Sequence, residues 1–459
     1  MSDQLVGQTL EQSKEIKQNI NQIVDQVLEI NSSIKGPQKP NEKFVEAAKA
    51  HVDKVGVNRG RPLFYPYIGT GSGQGPYVEL EDGSVKIDLI NGIGIHVLGH
   101  SHPTIIKASL QAAISDIVMQ GNLQPNKEYS ILGEKLIQLA SKKSRLKHVW
   151  LTTSGSMSGE NALKACRQYK SPAKMTIAMK NAFAGRSMMM AEITDNENYT
   201  VGLPKYNEVL RVPFYDKNDP KSTEKSFEIF KSHVAKHEGD ISNFCFEPMQ
   251  GEGGYNSAPR EFFLPMLDFC KEKGIPVWAD EVQTFCRTGE FFAFERLEIG
   301  EYVDVCTVAK TLQAGATLFT EELNPKPGLV SGTFAGSTVA LAAGIAALTE
   351  LEDGYMGEKG KIQNIHSMFV GMLNELNEGS CRGLLQDAGG LGLMVAATPL
   401  DGSKEKMLAL LKTLYKNGLM TFGCGRGPFR LRFLLPATLT EENISVCKKI
   451  IEKSVLELA

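Results

Sequence analysis

Apolar residues along this chain recur with two different periods, and the switches between them set the expected architecture. From residue 1 to about 35 the chain is polar, with Leu10, Ile16, Ile20, Ile23, Val24 and Val27 at helical spacing. That spacing predicts an amphipathic helix, either laid on the body of the protein or offering its stripe to a partner or second subunit. Gly36, Pro37 and Pro40 mark 33–41 as a linker. Tyr77-Val78-Glu79-Leu80 and Val85-Lys86-Ile87-Asp88-Leu89, joined through Gly83, predict a β-hairpin. From about 104 to 345, helical patterns alternate with short apolar runs at 149–151, 241–246, 275–279 and 302–308. Such alternation predicts an α/β fold with a mostly parallel sheet covered by helices. After about 345 helical patterns resume. Gly390-Leu391-Gly392-Leu393-Met394-Val395 and Phe429-Arg430-Leu431-Arg432-Phe433 then read as strands of a smaller domain.

Composition narrows the class. The chain has 459 residues, 42% apolar and 22% charged, which excludes disorder and suits two or three domains or one large enzyme. A net charge of -3 gives no broad field to attract nucleic acid or anionic lipid. No apolar run approaches the roughly 18 residues of a membrane span, and Met1-Ser2-Asp3-Gln4 lacks the layout of a secretion signal. The eight cysteines are scattered singly, so neither a disulfide framework nor a zinc knuckle is expected. Cys245, Cys270, Cys306 and Cys447 sit in or beside apolar runs and read as small buried residues. A reducing, cytoplasmic setting follows. His233 and His237 stand at i and i+4 on a polar helical stretch with no third ligand, so they read as surface histidines and no metal site is expected.

Candidate chemistry lies where the apolar runs end, because open α/β sheets bind ligands beyond the carboxyl ends of their strands. Leu151-Thr152-Thr153-Ser154-Gly155-Ser156 leads into a helical pattern, which makes either an anion cradle or an ordinary Ser/Thr cap. The 275–279 run ends in Asp280-Glu281, and the 302–308 run ends in Ala309-Lys310. Alone, Asp280 and Lys310 would make a buried salt bridge. Phe244-Cys245-Phe246 runs into Glu247 and a Gly-rich loop, which forms either an exposed turn or a cover over a pocket. Taken together, a phosphate cradle, a strand-end acid and a strand-end amine meet the demands of pyridoxal 5'-phosphate. The lysine forms the Schiff base and the aspartate keeps the pyridine nitrogen protonated. Phe183 is the candidate to stack on the ring, the alternative being a core phenylalanine.

These residues and their order resemble the class III aminotransferases (the ornithine, acetylornithine and GABA type) of the fold-type-I pyridoxal-phosphate enzymes. The resemblance runs from about Gly75 to the C-terminus. It is carried by Gly99-His100-Ser101-His102-Pro103, the 153–164 motif, Phe183-Ala184-Gly185-Arg186, the 247–254 loop, Asp280-Glu281-Val282-Gln283-Thr284, Lys310 and Gly332-Thr333-Phe334-Ala335-Gly336. It implies a large, mostly parallel mixed-sheet cofactor domain over 104–344. A smaller α+β domain would come from 37–103 and 345–459, and 1–36 would be an N-terminal helical extension.

By the same resemblance, Gly155 and Ser156 hold the cofactor phosphate, Phe183 stacks on the ring and Asp280 pairs with the pyridine nitrogen. Gln283 bonds the ring hydroxyl oxygen, Glu247 stands near the substrate-side face, and Lys310 carries the aldimine and moves the proton. Thr333 reaches the phosphate of a neighbouring subunit, which implies a homodimer with shared sites. Arg432 grips a substrate carboxylate. The implied reaction moves an amino group from an ω-amino acid to a 2-oxo acid. N-acetylornithine ranks ahead of ornithine, 4-aminobutyrate and lysine as donor. The pattern departs from the family at Met157-Ser158-Gly159, at Ala184, and in shortened stretches at 284–289 and 310–333. These departures keep open an aminomutase, racemase or decarboxylase of the same fold, or a homologue whose activity has decayed. A nucleotide-phosphate enzyme is disfavoured, because the loop lacks the Walker lysine.

Overall fold

The computed structural model describes residues 4–115 and 123–459. Its centre is a seven-stranded sheet in the order His148–Thr152, Gly315–Phe319, Val305–Val308, Val277–Asp280, Ile241–Phe246, Met175–Met179, Val209–Val212. Neighbours pair in parallel from Val305–Val308 to Val209–Val212. Only Gly315–Phe319 runs antiparallel to both of its neighbours. This is the mixed, mostly parallel sheet that the alternating pattern predicts. Every residue of Met175–Met179, Ile241–Phe246, Val277–Asp280 and Val305–Val308 is buried. Helices on both faces thus explain why these strands read as unbroken apolar runs. Because the strands share a direction, the chain leaves Thr152, Met179, Phe246, Asp280 and Val308 at one edge of the sheet, and that edge positions the site.

Two four-stranded sheets lie outside this core. One contains the expected hairpin, Tyr77–Leu80 against Val85–Asp88, with Gly69–Gln74 on one side. On the other side Leu419–Met420 pairs in parallel with Val85–Asp88, which ties early and late parts of the chain together. The other sheet is antiparallel, in the order Leu385–Leu391, Met394–Pro399, Arg430–Leu434, Phe422–Cys424. The apolar run 390–395 is therefore not one strand. It folds back at Gly392, whose φ of +55° suits a tight hairpin turn, and Gly390 faces Val395 across the ladder.

The N-terminal stretch forms two helices where the periodicity predicts one. Val6–Gln12 and Lys14–Asn31 are separated at Ser13, whose Oγ accepts from Ile16 N at 3.3 Å and caps the second. Ile20 and Val24 are buried while Ile23 is exposed, so one stripe lies on the body, against Pro103–Ala113. All eight cysteines are buried and free. His233 is half-buried rather than exposed, with Nε2 3.1 Å from the Arg211 carbonyl oxygen. No helix among the described residues is long and apolar enough to cross a membrane.

Candidate active site

The strand ends converge on a cavity of about 440 Å³, within the size range of small-molecule sites. Ser154, Gly155 and Ser156 form one wall, where the helix Gly155–Tyr169 begins. Ser154 Oγ caps that helix by accepting from Met157 N at 3.3 Å. The helix dipole makes this wall favourable to an anion. Gly155 permits a close approach, since a Cβ there would meet Val282 Cγ1 at 2.7 Å. The cradle thereby packs directly on the turn that follows Asp280. Ser156 Oγ accepts from Arg186 N at 3.2 Å, which joins the cradle to the Phe183 loop.

Asp280 faces the same cavity and is 5% exposed. Its Oδ1 accepts from Val282 N at 3.0 Å and from Thr307 Oγ1 at 3.1 Å. Trp278 Nε1 donates to Thr307 Oγ1 at 3.0 Å, so the Thr307 hydroxyl proton is directed at the carboxylate. Burial pushes the Asp280 carboxyl up to about 6, against the pull of Val282 N, Thr307 and Lys310. Lys310 stands across the cavity with a φ of +53°. Left-handed backbone costs an ordinary residue of order 1–2 kcal/mol, so the lysine is presented at some expense. Burial, then the charges of Arg287 and Arg432, push its amine down to about 8, and Glu252 and Asp280 pull the other way. A useful fraction of Lys310 is therefore free amine near neutrality.

Glu247 accepts from Phe183 N at 3.0 Å and Gly251 N at 2.9 Å. Burial nonetheless pushes it up to about 8, so it carries a proton at neutral pH. Gln283 lines the cavity, and its buried Oε1 has no hydrogen-bond partner. Two expected site residues lie outside the lining. Thr333 is exposed at the start of the short Thr333–Gly336 turn. Arg432 is 2% exposed and already committed, with Nη1 2.5 Å from Glu252 Oε1. Burial opposes its charge, but Glu252, Tyr255 and Cys424 together outweigh burial and raise its pKa.

Three further residues had been given no part. Glu252 belongs to the Gly-rich loop, and a buried strand arginine needs an acid, so the pairing had a signal. Arg186 lines the cavity with its guanidinium 3.4 Å from the Tyr199 ring centroid, and Tyr199 stands edge-on to Phe183 at 6.5 Å. Among the described residues Arg186 has no ion pair, and a basic residue after a glycine gave no hint of that. Gln313 Nε2 donates to the Ile95 carbonyl at 2.9 Å and closes the rim, which nothing local announces.

The model of the family described as "Aminotransferase class-III" matches residues 62–455. The chain belongs to the class-III aminotransferases. It is similar to a probable 4-aminobutyrate aminotransferase of Bacillus subtilis, 29% identical over 411 residues that span 83% of this chain and 91% of the relative. It is also similar to a [LysW]-aminoadipate semialdehyde transaminase of Deinococcus radiodurans, 30% identical over 384 residues, 81% of this chain and 82% of the relative. Among solved structures, a lysine aminotransferase of M. tuberculosis shares the fold with a TM-score of 0.79 at 21% identity, covering 89% of this chain and all of that one. The enzyme is thus a pyridoxal-phosphate-dependent aminotransferase of fold type I, as the order of its motifs implied. The cavity fits that cofactor on its own terms. It offers an anion cradle at a helix start, a buried acid, a half-buried amine, an aromatic ring and an amide oxygen lacking a partner.

Proposed function

We propose that this aminotransferase takes the amino group of an ω-amino acid and delivers it to a 2-oxo acid. The observation that carries this reading is the contrast between two arginines. Exposed Arg186 lines the cavity with no acid paired to it among the described residues, whereas buried Arg432 is neutralised by Glu252. A donor whose carboxylate is remote from its amine suits the uncommitted Arg186. A carboxylate next to the reacting carbon must first displace Glu252 from Arg432. N-acetylornithine, ornithine, 4-aminobutyrate and lysine are donors of this shape, and the N-acetylated one leads.

Bound pyridoxal phosphate supplies an aldehyde that condenses with amines and a protonated pyridine that withdraws electrons from the amine-bearing carbon. The chain's residues do the rest. Gly155 and Ser156 would hold the phosphate, and Phe183 would stack on the ring. The Asp280 carboxylate keeps the proton on the pyridine nitrogen, and Gln283 meets the ring oxygen. The Lys310 amine, once displaced, takes the proton from the substrate carbon and returns it. Glu247, protonated at neutral pH, offers a proton on the substrate side. In the same reading, 37–103 and 345–459 form a small domain carrying Arg432, 104–344 form the cofactor domain, and 1–36 are an extension. Exposed Thr333 reaches the phosphate of a second copy in a homodimer, and the enzyme works in the cytoplasm.

The test is a half-reaction screen of amines, followed by cofactor absorbance with and without 2-oxoglutarate. Conversion by an ω-amino acid is expected. If no ω-amino compound converts the cofactor, the donor assignment fails while the family stands. Arg186→Met is expected to raise KM for the ω-amino donor about threefold to fivefold, because Arg186 is exposed and its pairing with a carboxylate is screened by solvent. It should leave KM for an amine without a carboxylate within about twofold. Glu252→Gln releases Arg432. It is expected to lower KM for the 2-oxo acid several-fold and to let α-amino acids compete as donors, read from competition kinetics.

A further inference from the structure

Arg287 is a buried cation without a counter-ion. Its side chain is 0% exposed, and its Nε and Nη2 have no hydrogen-bond partner. Among the described residues no carboxylate pairs with it. Only Nη1 is engaged, by the carbonyl oxygens of Gln283 at 2.9 Å and Phe285 at 3.5 Å. Burial lowers its pKa, but only to about 10, so it stays charged at neutral pH. Arg432, equally deep, has Glu252 for company.

An unpaired buried charge is among the most expensive things a core can hold. Capping two carbonyls does not require it, because a neutral amide could do that. The backbone also gives way to this side chain. Gly94, with φ +87°, lies so close that a Cβ would fall 2.8 Å from Arg287 Nη2. It ends a run of four positive φ values, 55° at Asn91, 62° at Gly92, 55° at Ile93 and 87° at Gly94. A strained turn is therefore wrapped around a guanidinium that stability alone would replace.

The location explains the expense. Gln283, whose carbonyl Arg287 holds, lines the cavity beside Asp280. The Phe285 carbonyl that Arg287 meets also accepts from Thr311 Oγ1 at 3.4 Å, so the guanidinium and the residue after Lys310 share one acceptor. Of the charges around the Lys310 amine, Arg287 and Arg432 push its pKa down while Glu252 and Asp280 oppose them. Of the two cations, Arg432 is matched by Glu252, whereas Arg287 has no carboxylate among the described residues. We propose that Arg287 is a positioning residue whose unpaired charge acts across the cavity wall on the Lys310 amine while its guanidinium fixes the Gln283 backbone. It touches no reacting atom. The inference rests on Lys310 being the reacting amine.

The test reads that amine directly, on the full chain freed of cofactor. Acetic anhydride labels free amines, and the Lys310 peptide is followed by mass spectrometry from pH 6 to 11. The wild-type midpoint is expected near 8. Arg287→Gln and Arg287→Met are expected to raise it by about one unit. A neutral variant with wild-type circular dichroism and a wild-type midpoint would overturn the proposal. If neither neutral variant folds, the wild-type midpoint decides: a value near lysine's ordinary 10.5 ends the proposal and one near 8 supports it. Because labelling does not depend on amino transfer, a failed donor screen and a failed role for Arg287 remain distinguishable.

Discussion

Lys310→Ala is expected to lower kcat by about 10⁴-fold or more, because in the proposed reaction one side chain serves as both covalent attachment point and proton carrier. The physical case is local. The residue ends a wholly buried strand, its backbone is left-handed, and its amine is pushed down to about 8 by burial and by Arg287 and Arg432. The sign of the pH dependence follows. Lowering the pKa of a base makes the neutral form more available, so wild-type kcat, which reports the complex in which Lys310 is displaced, should rise from pH 6 and level off above about 8. Alanine removes that dependence along with the activity. High concentrations of methylamine should restore part of the proton transfer, since the cavity keeps the space the side chain vacates. Circular dichroism should be unchanged, because the strand pairs through its backbone. A variant that keeps more than about one per cent of wild-type turnover would remove Lys310 from the centre of the reaction.

The parts of this site legible in the sequence are those fixed by a strand end. Asp280 and Lys310 stand out because all-buried parallel strands read as apolar runs, and a charge closing such a run is conspicuous. Ser154 to Ser156 stand out for the same reason, as small residues between a strand and a helix. Contacts that need the chain to close over long separations were not legible. Glu252 and Arg432 come from a loop after the large sheet and a strand of the C-terminal sheet, and only folding shows that they meet. Arg186 on Tyr199 depends on a loop whose course no periodicity records. The turn at Gly392 was hidden because apolar residues on both sides of it continue without a break, and the break at Ser13 because helical spacing carries across it. The unpaired state of Arg287 cannot be read from sequence at all, since it is defined by which acids fail to arrive.

The second large effect is expected of Asp280→Asn, about 10³-fold in kcat, with no loss of fold. The substitution is almost shape-neutral here for a specific reason. Both hydrogen bonds the carboxylate accepts, from Val282 N and Thr307 Oγ1, fall on the same oxygen, Oδ1. An asparagine can keep both with its own Oδ1, which leaves Nδ2 where the second carboxylate oxygen had been. That exchange replaces an acceptor that holds a proton on a ring nitrogen with a donor that pushes the proton off, so electron withdrawal fails although every protein contact survives. Stability should move the opposite way. Burial raises the Asp280 carboxyl to about 6 from an ordinary 3.8, so the native state binds this proton more tightly than the unfolded chain. The stabilisation is complete below about pH 3.8 and is lost as pH rises through 6. At pH 7 the cofactor-free wild type therefore bears the cost of a buried anion, which the neutral amide avoids. The cofactor-free variant should melt higher than the wild type at pH 7, and the difference should vanish below about pH 4. A lower melting temperature at pH 7 would mean that the carboxylate is a structural ion. Wild-type turnover would mean that it does not govern the ring.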